Sequence, residues 1–392
     1  MKRLHGWETK TMADVAVVGS GNGFPDAYQG QSSGEYPFIK VSDLNLPGNE
    51  RLVQNANHWV SEAVRKKLKA KLFPTNTIVF AKVGGALLTN KRRILTRDTI
   101  IDNNMMALTA NAINGKYLYQ VLLTIDLGRY RQEGAVPSIN GSRVGEIAIN
   151  VPPLPEQQKI ADILGTWDEA LEKLDALIAA KARRKQALMQ QLLSGTRRMP
   201  RFRAKWAHVH LKDVAEESTQ RNGAQLDRAR LYAVTKAEGM VPMREQVQGA
   251  TINRCKTVEG GWFAYNPMRI NIGSIARWGN AAPVMVSPDY VVFRTDENRL
   301  LSDYLNHLRR SALWSSFVGC AGNGSVRVRI WFDDLGHLKL HLPPVAEQRA
   351  IANVLDTADT ELRLLRSKRE ALDQQKRGLM QKLLTGRVRV SA

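Results

Sequence analysis

The chain carries two copies of one long segment, and this internal repeat limits its possible folds more than any other feature. Residues 149–199 align without a gap with residues 340–390, and 20 of the 51 aligned positions are identical. The stretch ahead of each copy also repeats, because WETKTMADVA at 7–16 matches WAHVHLKDVA at 206–215. The repeat therefore covers whole units, and the chain reads as domain, long segment, domain, long segment.

Each long segment has the start and stop signals of one helix. Prolines precede it, an acidic residue (Glu156 or Glu347) stands in its first turn, and a glycine (Gly195 or Gly386) follows its last apolar position. Its apolar residues recur in alternating steps of four and three, the spacing of a coiled-coil seam. The seam residues are Ile160, Leu164, Trp167, Leu171, Leu174, Leu188 and Leu192 in the first segment, and Ile351, Leu355, Leu362, Leu365, Leu372, Leu379 and Leu383 in the second.

Two unrelated amphipathic core helices are the other interpretation, but each would run for about 38 residues, far beyond the usual three turns or so. The order of segments also predicts a direction. The first helix leaves domain one and reaches domain two, so a second helix that returns toward the start of the chain must run antiparallel to it. The same cyclic order predicts that Trp7 and Arg389 lie close together. The predicted register pairs Ile160 with Leu383, Leu164 with Leu379, Trp167 with Lys376, Lys181 with Leu362, and Lys185 with Ala358.

The domains between the helices have a mixed pattern. Short β-rich runs such as 77–81, 147–151, 284–286 and 290–294 alternate with Gly, Asn and Pro turns and with helical stretches at 61–69 and 301–317. The predicted fold class is therefore α+β, with two similar domains separated by a long antiparallel two-helix coiled coil and related by a pseudo-two-fold, cyclic repeat. The predicted boundaries are 1–150 for domain one, 151–196 for the first helix, 197–341 for domain two, and 342–392 for the second helix and tail.

The net charge favours a polyanionic partner. The chain carries a formal charge of +20 with a pI near 10.1, and nucleic acid is the commonest partner of such an excess. Residues 1–150 hold 19 basic against 12 acidic residues, and residues 200–341 hold 20 against 13. The equal excess favours two similar binding modules, although basic surfaces without a nucleic-acid partner also occur.

Cysteine usage and hydropathy point to a reducing compartment. Cys255 and Cys320 lie far apart without a CxxC pattern or a neighbouring Cys/His cluster, so the sequence predicts neither a disulfide framework nor a metal site. No apolar run approaches the 18 or so residues of a membrane span, and no hydrophobic segment follows the first basic residues. We therefore expect a cytoplasmic protein that makes no use of a membrane.

The motifs of DNA-modifying enzymes are missing from the sequence. INVPPL and YNPM lack the acid or amide and the aromatic residue of a methyltransferase loop, and no GxxxxGK[ST] string is present. Gly19, Gly21 and Gly23 give GxGxG without a strand-to-helix context, which favours a plain loop over a nucleotide cradle. Pro288-Asp289 with Glu297 lacks the lysine of a nuclease site. We predict no catalytic residues and no cofactor.

The pattern PPLxEQxxI at 152–160, the LxxxLLSG ending at 188–195, their second copies, and the WxxxxLxDVA-like domain openings resemble the specificity subunit of type I restriction-modification systems. The resemblance spans nearly the whole chain. It implies two target-recognition domains that each read one half of a split double-stranded DNA site, and helices that space them. It also implies that two methyltransferase subunits dock on the helices and that restriction subunits join through the complex. The glycine-rich GSGNGFP at 19–25 departs from domain two, which has RNGAQ at 221–225.

Basic and amide side chains in turns are the candidate DNA contacts. Such residues reach phosphates or the edges of guanine and adenine, although each could equally lie on an ordinary solvated surface. Lys82 aligns with Arg277, since both leave a strand into a glycine turn in the alignment of 76–85 with 271–280. The full set is Lys82, Lys91, Arg92, Arg93, Arg277, Trp278, Asn323, Arg327 and Arg329.

Three classes of function remain open from the sequence. The first is a DNA-reading subunit without catalysis, the second is a stand-alone DNA methyltransferase or nuclease, and the third is a coiled-coil scaffold whose basic domains do not read sequence. Methylation by the chain alone would favour the second, and equal affinity for random DNA would favour the third.

Overall fold

A computed structural model describes residues 6–132, 134–223, 225–244, 251–320 and 329–390. The chain forms two compact units, Met1–Asp175 with Lys368–Ala392 (unit 1) and Ala176–Ser367 (unit 2). Each unit groups one domain with the adjoining halves of both long helices, whereas the predicted boundaries set the helices apart from the domains. Those boundaries stay a prediction.

The domain of unit 1 is built on a five-stranded sheet of order β2-β9-β6-β7-β4, beside a three-stranded sheet β5-β3-β8 and the pair β1-β10. Strand pairs are antiparallel except β4 with β7 and β3 with β8. The elements are β1 (Glu8–Thr11), α1 (Met12–Val15), β2 (Ala16–Ser20), β3 (Tyr36–Ile39), β4 (Leu52–Val53), β5 (Trp59–Val60), α2 (Glu62–Lys67), β6 (Ile78–Ala81), α3 (Gly85–Leu88), β7 (Arg92–Leu95), β8 (Ile100–Ile101), β9 (Met105–Ala110), α4 (Gly115–Thr124), α5 (Gly141–Gly145), β10 (Ala148–Val151) and α6 (Leu154–Leu193).

The domain of unit 2 repeats this plan with sheets of order β12-β19-β16-β17 and β14-β13-β18-β15 and the pair β11-β20. The pair β13 with β18 is parallel, like β3 with β8. The elements are β11 (Ala207–His210), β12 (Ala215–Ser218), β13 (Leu231–Thr235), β14 (Gly239–Pro242), β15 (Lys256–Val258), β16 (Phe263–Tyr265), β17 (Ile275–Arg277), β18 (Val284–Val286), β19 (Val291–Thr295), α7 (Ser302–Leu308), α8 (Ala312–Cys320), α9 (Phe332–Gly336), β20 (Lys339–Leu342) and α10 (Val345–Leu383).

The sheet orders correct one predicted alignment. They equate β2, β9, β6 and β7 with β12, β19, β16 and β17 in turn, so the strand that Lys82 follows corresponds to β16. Arg277 ends β17, whose counterpart is β7. The two residues are therefore not equivalent, because the alignment matched β6 to the next strand along in unit 2. The match of Tyr36 with Tyr232 holds, since these residues lie in the corresponding strands β3 and β13.

The main sheet of each unit is buried on both faces, and alternate residues of one strand enter different cores. In β6, Ile78 and Phe80 pack with the helices, while Val79 packs toward the second sheet. In β16, Phe263 and Ala264 divide in the same way. Because side chains alternate along a strand, burial of both faces requires an uninterrupted apolar run, which explains why IVFA and FAY show no polar alternation.

The predicted long helices are confirmed, with 40 residues in α6 and 39 in α10. Gly195 and Gly386 follow their last turns with φ of +76° and +67°. This left-handed conformation is the usual helix stop, and side chains other than glycine adopt it at a cost. A Cβ at Gly195 would also meet the Trp206 ring at 3.1 Å.

The halves of the two helices pack antiparallel within each unit, as predicted. In unit 1, Asp168 pairs with Lys376 at 2.5 Å and Asp175 pairs with Arg369 at 3.0 Å. The residue number rises along α6 as that of its partner in α10 falls, which shows that the helices are antiparallel. In unit 2, Lys181 pairs with Glu361 at 2.5 Å and Lys185 pairs with Asp359. Three of these four contacts lie within one residue of a predicted pair, and no pair was predicted for Asp175. The register is therefore not shifted by a heptad.

One charge partner differs from the prediction. The Trp167 ring was expected to receive Lys376, but Lys376 pairs instead with the carboxylate of the next residue, Asp168, which also accepts from Gln120 Nε2 at 2.6 Å. A buried ammonium gains more from a carboxylate than from a ring face. The repeat maps this pair onto Lys185 and Asp359 in unit 2.

No predicted seam residue is exposed. The seam also joins the domain cores, since Ile160 and Leu164 share a cluster with Leu118 of α4 and with Leu383. The buried ones are Ile160, Leu164, Leu171, Leu174, Leu192, Ile351, Leu355, Leu362 and Leu383, and the half-buried ones are Trp167, Leu188, Leu365, Leu372 and Leu379.

Among the helices described, none is long and apolar enough to cross a membrane.

The buried pair of unit 1 gives a stability prediction with an internal control. We expect Lys376→Met to lower the free energy of unfolding by about 3–5 kcal/mol, because it leaves Asp168 buried with an unpaired charge. Arg369→Met removes an exposed ion pair and should cost less than about 1 kcal/mol. Urea denaturation followed by circular dichroism measures both. Equal losses in the two variants would contradict the role of the buried pair.

Candidate nucleic-acid interface

A buried carboxylate at the start of α6 binds both ends of the described chain. Glu156, 3 % exposed, accepts from Trp7 Nε1 at 3.1 Å and from Arg389 Nε and Nη2 at 2.7 and 2.8 Å. The guanidinium also lies 5.8 Å from the centre of the Trp7 ring. The predicted proximity of Trp7 and Arg389 is therefore confirmed. We call this cluster of Trp7, Glu156 and Arg389 anchor 1.

The same cluster recurs at the start of α10. Glu347, which is fully buried, accepts from Trp206 Nε1 at 3.2 Å and from Arg198 Nε and Nη2 at 2.8 and 2.6 Å. Arg198 lies 5.4 Å from the centre of the Trp206 ring. We call Trp206, Glu347 and Arg198 anchor 2. The repeat thus extends to individual hydrogen bonds, and each anchor fixes a domain opening to a long helix.

The glutamine that follows each anchor carboxylate attaches the helix to its domain. Gln157 accepts from the backbone N–H of Asn114, where α4 begins, and donates to the Pro152 carbonyl. Gln348 accepts from the N–H of Leu301, where α7 begins, and donates to the first proline of its own motif. The sequence analysis used the glutamate only as a helix-start signal and gave the glutamine no role, although the identity of both residues in the two copies was an available signal.

Two predicted contacts of unit 1 remain accessible. Lys82 directly follows β6 and is half-buried, with its Nζ 3.5 Å from Ser20 Oγ. Lys91 is exposed ahead of β7 and its Nζ contacts Asn45 Oδ1. Neither side chain forms an ion pair within the described ranges, so both can turn toward a phosphate.

The structure corrects the prediction for Arg92, which is 1 % exposed. It donates to the backbone carbonyls of Asn90 and Ile125, the second at 2.6 Å, and joins β7 to the end of α4. Burial lowers the pKa of its guanidinium to about 10. Arg93 is half-buried, and its Nη2 donates to the Leu44 carbonyl at 3.0 Å. The basic run at 91–93 therefore offers mainly Lys91 to a partner, because β7 takes its arginines inward.

Unit 2 divides its predicted contacts in a similar way. Arg277 is partly exposed, with Nε donating to Ser302 Oγ at 3.1 Å and Nη2 pairing with Asp303 at 3.0 Å. Trp278 is 7 % exposed and its Nε1 donates to the Ala282 carbonyl at 2.8 Å, so it is a core residue rather than a surface contact. This corrects the prediction for Trp278.

The remaining candidates follow α8 in the sequence. Arg329 is exposed. Asn323 and Arg327 lie outside the described residues. Within the described ranges, no group of three or more His, Cys, Asp or Glu side chains could hold a metal ion. Cys255 is buried, which raises the pKa of its thiol, and Cys320 is exposed.

The anchor carboxylates predict how stability depends on pH. Burial raises the pKa of Glu156, but hydrogen bonds from Arg389 and Trp7 outweigh it and hold the pKa below its ordinary value of 4.5. The balance is the same at Glu347. Because the folded-state pKa is lowered, the ionised carboxylates stabilise the fold above the ordinary pKa, and this contribution is lost as the pH falls through the folded-state value.

We expect the double variant Glu156→Gln, Glu347→Gln to unfold more readily at neutral pH and to lose less stability on acidification than the unchanged protein. Unfolding free energies measured between about pH 7 and pH 3 test this. The control is Glu146→Gln, which alters an exposed carboxylate. Parallel stability curves for the double variant and the unchanged protein would contradict the prediction.

Comparison with known proteins gives one family. Residues 5–181 match the type I restriction modification DNA specificity domain. A type I restriction enzyme specificity subunit of Methanocaldococcus jannaschii, MjaIX, is 25 % identical over 182 residues, which are 42 % of this chain and 39 % of the relative. A candidate specificity subunit of the same organism, MjaX, is 22 % identical over 281 residues, 64 % of this chain and 62 % of the relative. The chain thus matches less than two thirds of either relative's length.

Two solved structures share the fold. The S subunit of a type I restriction-modification system from M. genitalium has a TM-score of 0.62 at 14 % identity, over 98 % of both chains. A structure from work on complex assembly and conformational transition of the type I R-M system has a TM-score of 0.57 at 15 % identity, over 98 % of this chain and 99 % of the other. Residues 5–181 therefore match a type I restriction modification DNA specificity domain, and the chain as a whole shares the fold of these two structures.

Proposed function

We propose that the chain is the DNA-reading subunit of a type I restriction-modification complex, with each domain reading one half of a bipartite site in double-stranded DNA. The observation that carries this proposal is the repetition of one domain, down to the hydrogen bonds of its anchor, on two continuous helices. One reading module used twice suits a site with two halves. Both domains also carry the same excess of positive charge, which favours phosphate contact.

The proposed DNA contacts are the predicted side chains that remain accessible. Lys82 and Lys91 serve domain one, and Arg277 and Arg329 serve domain two. Arg93 donates to a backbone carbonyl inside its domain, so only its exposed part can contact DNA. Phosphate contacts of this kind position a protein on the duplex, whereas base contacts select the sequence.

The chemistry is assigned to partner subunits. Two methyltransferase subunits are proposed to dock on the long helices, and restriction subunits join through the complex, which acts on DNA in the cytoplasm. The anchors support this arrangement, because these contacts and those of the glutamines lie at the helix starts, while many later residues of both helices are exposed.

Methylation mapping tests the proposal against a stand-alone enzyme. The chain is co-expressed with its methyltransferase partners, and genomic DNA is sequenced for modified bases. We expect methylation at one split motif with an unread gap, and no methylation when the chain is incubated alone with S-adenosylmethionine and DNA. Modification by the isolated chain, or methylation without a defined motif, would overturn the assignment.

The helices are proposed to set the gap between the half-sites. Inserting one heptad in each helix, between Leu174 and Lys181 and between Leu365 and Leu372, keeps the seam in phase. It adds roughly 10 Å of helix, or about three base pairs. We expect unchanged half-sequences and a longer gap, with weaker binding because the added base pairs also rotate one half-site.

Motif mapping of the insertion variant measures the gap directly. A heptad inserted in α6 alone is the control, since it breaks the register with α10 and should abolish methylation. An unchanged gap in the double insertion would show that the helices are not the spacer.

A further inference from the structure

Unit 2 contains a basic cavity of about 690 Å³ between the turn that joins β13 to β14, strand β17 and the corner of α7 and α8. Its volume falls in the range of small-molecule sites. The buried Trp314 forms part of its wall. Four cations line it, against one lining carboxylate, the exposed Glu238. The cations are Lys236, Arg277, Arg309 and Arg310.

Two of these cations pair with carboxylates that do not line the cavity, and one of these carboxylates, Asp359, is shared with Lys185. Arg277 pairs with Asp303 at 3.0 Å, and Arg310 pairs with Asp359 at 3.3 Å. Within the part of the chain that the structure describes, neither Lys236 nor Arg309 has an ion-pair partner. The cavity therefore carries uncompensated positive charge.

Arg309 is held in place by neutral acceptors alone. Its Nε donates to Asn306 Oδ1 and its Nη1 donates to the Ile275 carbonyl, both at 3.0 Å. Burial lowers the pKa of the guanidinium to about 10, so it stays charged at neutral pH. A half-buried cation without a counter-ion is unfavourable, and an anion bound in the cavity would offset that cost.

The two units supply the arginine of this junction from different elements. In unit 1 the corresponding junction of helix and strand is joined from the strand side, where Arg92 of β7 donates to the Ile125 carbonyl after α4. In unit 2 the arginine comes from the helix side and donates to the Ile275 carbonyl of β17. Both arginines bridge the same junction, but Arg92 is buried inside its domain, whereas Arg309 lines a cavity.

We propose that this cavity binds a phosphate group, with Arg309 and Lys236 as its charge partners. A guanidinium fork matches the oxygen geometry of phosphate, and a mobile lysine adds a second charge. The phosphate can come from the DNA backbone, in which case the inference rests on the function proposed above, or from a free nucleotide. Both sources share the phosphate ester, and the two arms of the experiment separate them.

The first arm uses the full chain and AMP, followed by broadening of the AMP ³¹P resonance. Lys236→Glu reverses an exposed charge in a turn, and we expect it to weaken AMP binding at least about tenfold. Arg309→Leu removes the guanidinium and should have the same effect, provided that its thermal unfolding stays cooperative. The control is Lys339→Glu, an exposed residue of β20 that does not line the cavity.

The second arm uses the chain assembled with its methyltransferase partners and a duplex carrying the mapped motif. If the phosphate belongs to DNA, Lys236→Glu makes the negative slope of log affinity against log salt shallower by about one unit than in the control. The methylated motif stays unchanged. Loss of AMP binding with an unchanged slope assigns the cavity to a free nucleotide. If Lys236→Glu matches Lys339→Glu in both arms, the proposal is overturned.

The arms also separate this inference from the proposed function. A complex that methylates no defined motif refutes the DNA-reading function, while the AMP arm still reports on the cavity. A normal motif combined with variants that behave like the control refutes the cavity and leaves the function intact.

Discussion

The buried carboxylate at the start of each long helix is the contact on which the arrangement of each unit depends. Glu156 and Glu347 each receive a tryptophan that opens a domain and an arginine that follows the other helix's final glycine. One side chain thereby fixes three separate stretches of chain. A neutral residue at this position would remove the charge partner of the arginine and the carboxylate that accepts from the indole, so the charge matters as well as the shape.

The repeat allowed the helices, their direction and their register to be predicted, because a seam with steps of four and three leaves few ways to pair two helices. The anchors could have been predicted from the same comparison, since Trp, Glu, Gln and Arg recur in both units. The correspondence between strands of the two domains could not be predicted, because the domains share too little sequence. Lys82 was therefore aligned with Arg277, which ends the strand next to the true counterpart of β6. The orientation of Arg92 was also beyond the sequence, since a basic run looks alike whether β7 turns it outward or inward.

The two domains solve one packing problem in opposite ways. The junction between a sheet strand and the helix after the sheet leaves backbone carbonyls that need donors, and an arginine supplies them in both units. In unit 1 it belongs to the strand and is sealed inside. In unit 2 it belongs to the helix and reaches a cavity. A difference in which element contributes the arginine thus changes the surface while the shared fold is preserved, which suits two domains that are proposed to recognise different half-sites.

The anchors also differ in when their residues become available during translation. In anchor 2 the arginine and tryptophan precede the carboxylate in the chain, so every partner is present when Glu347 emerges. In anchor 1 the carboxylate comes 233 residues before its arginine. At about 5–20 residues per second, Glu156 waits roughly 10–50 s for Arg389. Over that interval unit 2 can fold, because all of its residues are made before Arg389. In unit 1, Glu156 still lacks its guanidinium partner, and the first half of α6 still lacks the part of α10 that will pack against its seam. The second unit is therefore expected to be complete before the first, although its domain is translated later.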